Sequence, residues 1–227
     1  MPQTESVAID GYVASGKTTV AQLLASELGF LYLDTGAMYR AVAYLALRNG
    51  VDLDSEHNLA GMLAHHTIEV LPDASRAAGY RVLVDRRDVG QRLFDPDVAA
   101  AVSTVAAFSA IRGELVKRQR RIAEEGPVVM AGRDIGSVVL PGARHKFFLT
   151  ASLEERARRR QAEFRTRGLD LPFDEVRDQI AERDRLDSTR PVAPLRVADG
   201  ALTIDSTDLA PADVVARMRA AMTAPVP

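Results

Sequence analysis

The chain has 227 residues, 47% hydrophobic and 26% charged, which suits one α/β domain with an insertion or a small satellite. Its formal net charge of −2 gives no general attraction to nucleic acid or anionic membranes, and the lack of cysteine excludes disulfides, thiolate metal sites and a cysteine nucleophile. Because residues 1–10 hold no basic, apolar leader and no apolar stretch reaches membrane length, we expect a cytoplasmic protein without a membrane partner.

The first predicted strand and helix flank a phosphate-binding loop. Residues 7–9 are an apolar run, residues 19–24 have helical periodicity, and residues 11–18 between them read G-Y-V-A-S-G-K-T. In this G-x-x-x-x-G-K-[ST] pattern, backbone N–H groups surround phosphate oxygens, the lysine reaches the outer phosphates and the hydroxyl ligates Mg²⁺. The residues predicted to contact the nucleoside triphosphate are Gly11, Tyr12, Val13, Ala14, Ser15, Gly16, Lys17, Thr18 and Thr19, with Thr18 as the metal ligand.

The elements that follow indicate an insertion. A short buried strand is predicted at residues 30–33, a helix at 37–48 and a second helix ending near residue 64. Three short strands are then predicted at residues 67–71, 80–85 and 86–88, followed by a helical pattern over residues 97–125. This block interrupts the alternation of strands and helices, so we interpret it as an insertion on an α/β core.

Alternation resumes in the second half of the chain. Apolar runs predict strands at residues 128–131, 146–149 and 201–205, and helices are predicted after Ser152 and over residues 212–222. With the strands near residues 7–9 and 30–33, this makes five strands with intervening helices. That number and order predict a three-layer α/β core.

Arginine placement points to phosphoryl transfer. An enzyme that transfers phosphate between two anions needs cations from several segments to hold them together against their repulsion. Six arginines lie at or near the edges of predicted elements: Arg40, Arg133, Arg156, Arg160, Arg183 and Arg190. The alternative is that they are solvated surface residues. For the basic run at residues 117–121 we favour that alternative, because charge runs on helices usually face water.

Two motifs place charged residues where a ligand crevice is expected. Arg133 and Asp134 directly follow the strand at residues 128–131, and the carboxyl ends of parallel strands line the crevice in open sheets. Arg183, Asp187 and Arg190 are spaced i, i+4 and i+7, which places them on one helix face. Such a face suits a lid that covers phosphates, although an ordinary salt-bridge face would have the same spacing.

Together these motifs resemble the bacterial cytidylate kinases, the CMP/dCMP kinases of the nucleoside monophosphate kinase group. The resemblance runs in order over residues 6–207, with similar spacing. The matching segments are I-D-G-x-x-x-S-G-K-T at 9–18, L-D-T-G-A-M-Y-R at 33–40, S-T-V-A-A-F at 103–108 with Arg112, G-R-D-I-G at 132–136, and E-R-D-R-L-D-S-T-R at 182–190 with A-P-L at 193–195.

The resemblance implies a three-layer P-loop kinase fold with a central five-stranded parallel sheet, an inserted small α+β monophosphate-binding domain and a helical lid. Its implied divisions are a core of residues 1–34, 113–160 and 191–227, a monophosphate-binding segment of residues 35–112, and a lid of residues 161–190. It further implies a monomer that binds ATP as co-substrate with Mg²⁺ and CMP or dCMP as acceptor, without a nucleic-acid partner.

Roles at the matching positions also come from the resemblance. Lys17, Arg133 and Arg183 would be catalytic, and Arg156 and Arg160 would lie near ATP. The acceptor site would comprise Arg40 and Arg133 at the phosphate, Ser103, Arg112 and Asp134 at the cytosine, Arg183, Asp187 and Arg190 at or near the sugar, and Thr35. Cytosine has an amino donor at C4 that Asp134 would accept, whereas uracil places a carbonyl there, opposite the carboxylate.

Two positions of the loop depart from the family pattern, with Tyr12 in place of the usual proline and Ala14 where glycine is common. Alanine tolerates positive φ poorly, so Ala14 raises the question of the local backbone conformation. Other functions stay open at this stage. They are a kinase for UMP, AMP or a non-nucleotide hydroxyl acceptor, a slowly hydrolysing nucleotide switch, and a nucleic-acid binder supported only by residues 117–121.

Overall fold

The computed structural model of the protein describes residues 5–73, 75–76, 79–166 and 168–223. Its strands are β1 (Val7–Gly11), β2 (Leu31–Asp34), β3 (Ile68–Pro72), β4 (Tyr80–Val84), β5 (Arg87–Asp88), β6 (Val128–Gly132), β7 (His145–Thr150) and β8 (Leu202–Asp205). Its α-helices are α1 (Lys17–Leu28), α2 (Thr35–Arg48), α3 (Glu56–Ala64), α4 (Pro96–Val105), α5 (Ser109–Glu125), α6 (Leu153–Thr166), α7 (Phe173–Thr189) and α8 (Pro211–Thr223).

Five strands form the parallel sheet at the centre of the molecule, in the order β2-β6-β1-β7-β8. The central strands β1 and β6 are buried along almost their whole length, as expected for parallel strands covered on both faces. Because these strands are parallel, their carboxyl ends and the loops after β1, β2 and β6 lie at the same edge of the sheet. The predicted α/β class with a central five-stranded parallel sheet is confirmed.

The insertion contains a separate antiparallel sheet in the order β3-β4-β5. Asp85 and Arg86 connect β4 to β5 with φ values of 49° and 65°, the backbone of a tight hairpin turn. Strand β4 alternates buried side chains with an exposed and a half-buried one, so one face of this small sheet packs more closely on the rest of the molecule. Three short strands were predicted here and three are present, although the predicted domain boundaries themselves stay predictions.

The helical pattern predicted over residues 97–125 is divided between two helices. Helices α4 and α5 are bent by 101° at a short break. Arg112, in the first turn of α5, donates a hydrogen bond of 3.1 Å to the carbonyl of Ala106 just beyond α4, which satisfies one of the acceptors that a helix end leaves free. Among the described residues no single helix is long and apolar enough to cross a membrane, and only this bent pair meets the length and composition test.

The prediction that the basic run at residues 117–121 faces water is wrong for its middle. Lys117 and Arg121 are exposed, but Gln119 is 1% exposed and Arg118 and Arg120 are partly buried. Five successive helical residues turn through more than 360°, so they cannot all share the solvent face. Arg120 donates hydrogen bonds of 2.9 and 2.6 Å to two carbonyls at the end of the π-helical turn Ile135–Val139.

Candidate active site

One cavity of about 990 Å³ opens at the carboxyl ends of β1, β2 and β6, and reaches from the P-loop to the insertion and α7. All nine residues predicted for the acceptor site line it: Thr35, Arg40, Ser103, Arg112, Arg133, Asp134, Arg183, Asp187 and Arg190. The predicted ATP-site residues that line it are Val13, Ala14, Ser15, Gly16, Lys17, Thr18, Thr19 and Arg160. The structure therefore joins two predicted subsites in a single space, but leaves Gly11, Tyr12 and Arg156 outside the cavity lining.

The P-loop backbone approaches the neighbouring strand very closely. A Cβ atom at Gly11 would lie 2.0 Å from the carbonyl oxygen of Leu149 in β7, so no other residue fits there. Gly16 adopts the left-handed conformation, with φ 89°, and α1 begins at the next residue. The N-terminus of α1 therefore points its free N–H groups into the cavity, an arrangement that favours an anion.

Lys17 lies on the floor of this loop and is 8% exposed. Its ammonium group donates hydrogen bonds to the carbonyl of Tyr12 and, over 3.3 Å, to the Oγ of Ser15. Desolvation and, next, the positive charge of Arg133 lower the pKa of Lys17 well below its ordinary value. A buried cation beside another cation is unfavourable until an anion arrives, so the loop is electrostatically prepared for phosphate.

Ala14 stands where the family commonly has glycine, and its backbone adopts the left-handed conformation that strains alanine, with φ 56°. A left-handed conformation costs a non-glycine residue about 1–2 kcal/mol, whereas glycine loses about 0.4–1 kcal/mol through unfolded-state entropy. We therefore expect the free energy of unfolding of Ala14→Gly, measured by chemical denaturation, to equal that of the wild type or to exceed it by up to about 1 kcal/mol. The matched control is Ala216→Gly on the exposed face of α8, which is expected to lose about 1 kcal/mol. Equal losses in both variants would contradict strain at Ala14.

Arg156 lies behind the P-loop. Its guanidinium donates to the carbonyls of Ala151 (3.0 Å) and Val13 (3.3 Å) and also to the carboxylate of Asp184 in α7. It also lies over the ring of Tyr12, 5.1 Å from its centroid. Arg156 therefore connects α6 to α7 and to the P-loop. Its contact with ATP stays a prediction.

Asp184 completes this connection, since its other oxygen accepts the backbone N–H of Val13 over 3.3 Å. Removal of one partner of a buried ion pair leaves an uncompensated charge, which costs about 3–5 kcal/mol. Because Arg156 is 6% exposed, we expect Asp184→Ala to lower the free energy of unfolding by about that amount in urea denaturation. Asp178→Ala removes an exposed ion pair from the same helix and should change stability little. A similar small effect at Asp184 would refute the buried connection.

The acceptor half of the cavity is built from alternating charges. Arg112 and Asp134 form a buried ion pair between α5 and the loop after β6. Arg190 approaches Asp134 to 3.8 Å and Asp187 to 3.9 Å. Arg133 donates from Nε to Asp187 over 2.8 Å. Residues from three separate segments thus meet in one network, as the resemblance implies.

Three arginines of the cavity lining have a side-chain donor that is not used within the protein. Within the described part of the chain, Nε of Arg40, Nε of Arg183 and one terminal nitrogen of Arg190 are buried without a hydrogen-bond partner. Burial and, next, the charge of Arg133 lower the pKa of Arg183 to about 10. Arg40 pairs with Asp34 over 2.6 Å, and although burial opposes its charged form, Asp34 keeps its pKa above the ordinary value. Planar arginine groups with spare N–H donors suit the oxygens of a phosphate.

Sequence reasoning missed several cavity residues. Asp34 caps α2 by accepting the N–H of Gly36 over 2.9 Å and orients Arg40. The sequence feature that could have identified Asp34 is a carboxylate at the end of a predicted buried strand. Arg159 also lines the cavity, donating to Ser206 and the carbonyl of Thr207. Only helix packing distinguishes it from the neighbouring arginines of α6.

The P-loop and a second, arginine-rich compartment lie in one water-accessible cavity. This arrangement defines a P-loop kinase whose acceptor already carries a phosphate, since an enzyme that only hydrolyses ATP needs no second compartment. The family profile described as cytidylate kinase matches residues 7–224, and the chain belongs to the cytidylate kinase family.

The chain is similar to curated cytidylate kinases over nearly its whole length. It is 48% identical over 218 residues to the cytidylate kinase of Geobacillus kaustophilus, covering 96% of each chain. It is 46% identical over 215 residues to that of Caldanaerobacter subterraneus subsp. tengcongensis, covering 95% of this chain and 93% of the relative. A solved structure, TT1252 from Thermus thermophilus, aligns with a TM-score of 0.45 and 22% identity over 96% of this chain and 97% of that one.

Proposed function

We propose that this protein transfers the γ-phosphate of ATP to CMP or dCMP, giving ADP and CDP or dCDP. The observation that carries this function is the single cavity that joins the P-loop to the buried pair of Arg112 and Asp134. Membership of the cytidylate kinase family supports the same reaction. Bringing both phosphates into one space supplies much of the catalysis, because an oriented pair of reactants avoids the entropy loss of a bimolecular encounter.

On the donor side, we propose that residues 13–19 hold the triphosphate. The backbone N–H groups at the start of α1 and the ammonium of Lys17 would stabilise negative charge on the transferring group. Arg160 lines the same side of the cavity and would contact ATP. The desolvated state of Lys17 increases its electrostatic effect, because few water molecules compete for the charge.

Mg²⁺ would accompany ATP. Among the described residues no group of three or more acidic or histidine side chains could hold a metal. Thr18 lines the cavity beside Lys17, and its hydroxyl fits as the protein ligand for an ion that is otherwise held by phosphates and water. When bound, the ion would neutralise charge on the donor phosphates.

On the acceptor side, we propose that Arg40 and Arg133 hold the phosphate of CMP for in-line attack on the γ-phosphorus. That phosphate is already anionic near neutral pH, so no general base is required. Asp134 would accept the cytosine amino group while Arg112 and Ser103 donate to its N3 and O2. Asp187 and Arg183 would contact the sugar, with Arg190 close by and Thr35 at the base of the site.

Thr35 and Gly132 show how tightly this compartment is built. The hydroxyl of Thr35 donates to the carbonyl of Ala131 over 3.0 Å. A Cβ atom at Gly132 would lie 2.7 Å from that hydroxyl oxygen and 2.6 Å from Cδ1 of Ile135. A larger residue at this point would displace Thr35 or Ile135, so Gly132 lets β6 pass close to the first residue of α2.

The test is steady-state transfer from ATP with Mg²⁺ to CMP, dCMP, UMP, AMP, shikimate and no acceptor. We expect transfer to CMP and dCMP to be much faster than to the others. Faster transfer to another acceptor would overturn the base assignment, and hydrolysis that does not depend on any acceptor would overturn the kinase function. Cytoplasmic location and the monomeric state stay predictions. Light scattering of the purified protein tests the monomer.

A further inference from the structure

Asp10 is a buried carboxylate without an assigned role. It belongs to β1, immediately before the first glycine of the P-loop, and is 2% exposed. An ionisable side chain in a strand that is otherwise apolar is expensive to bury unless its oxygens are satisfied. Its position between the P-loop and the loop after β6 therefore demands a structural reason.

Both oxygens of Asp10 accept backbone hydrogen bonds from residues 133–139, the segment after β6 that we call the acceptor loop. Oδ1 accepts the N–H of Ile135 over 2.7 Å, and Oδ2 accepts that of Gly136 over 2.8 Å. These N–H groups open a π-helical turn, and the first N–H groups of a helical turn have no partner within the turn. Asp10 thus acts as the cap of this turn from a different strand.

The same contact fixes the two residues that precede the turn. Sheet pairing aligns Asp10 with Gly132, after which Arg133 and Asp134 leave the sheet. The sheet hydrogen bonds of β6 hold the chain just before Arg133, and the hydrogen bonds to Asp10 hold it just after Asp134. A rotation of the turn would therefore move the phosphate-binding and base-binding side chains relative to Lys17.

We propose that Asp10 is a positioning residue that sets the distance and orientation between the P-loop and the acceptor loop. The inference rests on the proposed transfer to CMP. Displacements of about 1 Å are known to lower the rate of oriented reactions about 100-fold, so the tie between the two loops controls the transfer step more than the binding of ATP.

The charges around Asp10 agree with a residue held in place for function. Burial raises its pKa to about 6, the two backbone hydrogen bonds oppose this, Asp134 raises it and Lys17 lowers it. An amide would avoid the desolvation of a charge. However, it has only one acceptor oxygen for two N–H groups, and its NH₂ group would face a donor. The carboxylate is the side chain of this size that satisfies both.

The experiment compares Asp10→Asn with the wild type. We expect kcat for CMP to fall at least tenfold and the ratio of kcat/KM for CMP over UMP to fall with it. The KM for ATP and the slow hydrolysis of ATP without acceptor should stay within about twofold, because they depend on the donor side. Asp85→Asn is the control, since Asp85 is a carboxylate that accepts the N–H of Thr67 in the insertion, outside the cavity.

Gly136→Ala disturbs the same contact from the other loop and serves if Asp10→Asn does not fold. Its Cβ would lie 3.1 Å from Cβ of Ala198 and 3.3 Å from Cδ of Lys146, both tighter than usual, and 3.4 Å from Oδ2 of Asp10. Relief of the two tight contacts would shift the N–H of residue 136 relative to Asp10. We expect the same loss of kcat for CMP with the KM for ATP kept. A variant that is less stable but retains kcat and the CMP over UMP ratio within twofold would overturn the positioning role. Wild-type enzyme that fails to use CMP would instead refute the proposed function.

Discussion

Replacement of Lys17 by alanine is expected to lower kcat for CMP by about 10²–10³-fold and to raise the KM for ATP. Removal of one preorganised group that stabilises charge in a transition state has effects of this size. Lys17 is buried on the floor of the P-loop, where solvent screens its charge little. Steady-state kinetics with ATP and CMP varied independently measure both constants.

Lys117→Ala is the matched control, because Lys117 is exposed on α5 and lies outside the cavity. It should retain wild-type kinetics. A Lys17→Ala variant with kcat within threefold of the wild type would remove Lys17 from catalysis. It would leave charge stabilisation to the arginines and the N-terminus of α1.

The same substitution, Lys17→Ala, should lower activity but should not lower the free energy of unfolding. Because desolvation lowers the pKa of Lys17, the unfolded state holds the proton more tightly than the folded state does. Without nucleotide, Lys17→Ala should therefore be as stable as the wild type or more stable near neutral pH. The difference should narrow as pH rises towards the ordinary lysine pKa of 10.5. Such a trade-off between stability and activity is common where a site stores unfavourable charge.

The central fold and most of the site could be predicted from local patterns. The P-loop is a contiguous motif whose glycines and lysine act within a few residues of one another. Short apolar runs in the sequence predict the five core strands. The Arg-Asp pair after β6 follows from a general property of parallel sheets, in which strand ends line the crevice. Each of these predictions needed only neighbouring residues.

The failures needed information from the tertiary structure. Residues 106–108 are Ala-Ala-Phe, which contain neither glycine nor proline, so nothing local marks the break between α4 and α5. Likewise, α6 carries Arg156, Arg158, Arg159 and Arg160 within one and a half turns. Which of them faces the cavity depends on how α6 packs against the P-loop and α7. The buried Asp10 did leave a signal, a carboxylate in the run V-A-I-D-G, but its partners lie 125 and 126 residues away.

Asp134→Ala is the second substitution with a large expected effect. Loss of the carboxylate that would accept the cytosine amino group leaves that donor unpaired in the complex, a penalty of up to about 3 kcal/mol. We expect kcat/KM for CMP to fall about 100-fold. The value for UMP should change much less, because its carbonyl never had a favourable partner there. The preference for CMP over UMP should therefore almost disappear.

The same substitution also removes the partner of Arg112, which is 3% exposed. An unpaired buried charge costs about 3–5 kcal/mol, so part of the variant population is expected to unfold at assay temperature. The ratio of kcat/KM for CMP and UMP is independent of the concentration of folded enzyme, which makes it the proper measurement. Unchanged selectivity in a less stable, less active Asp134→Ala would show that the carboxylate only neutralises Arg112. Selectivity lost in parallel with CMP turnover would show that Asp134 reads the base.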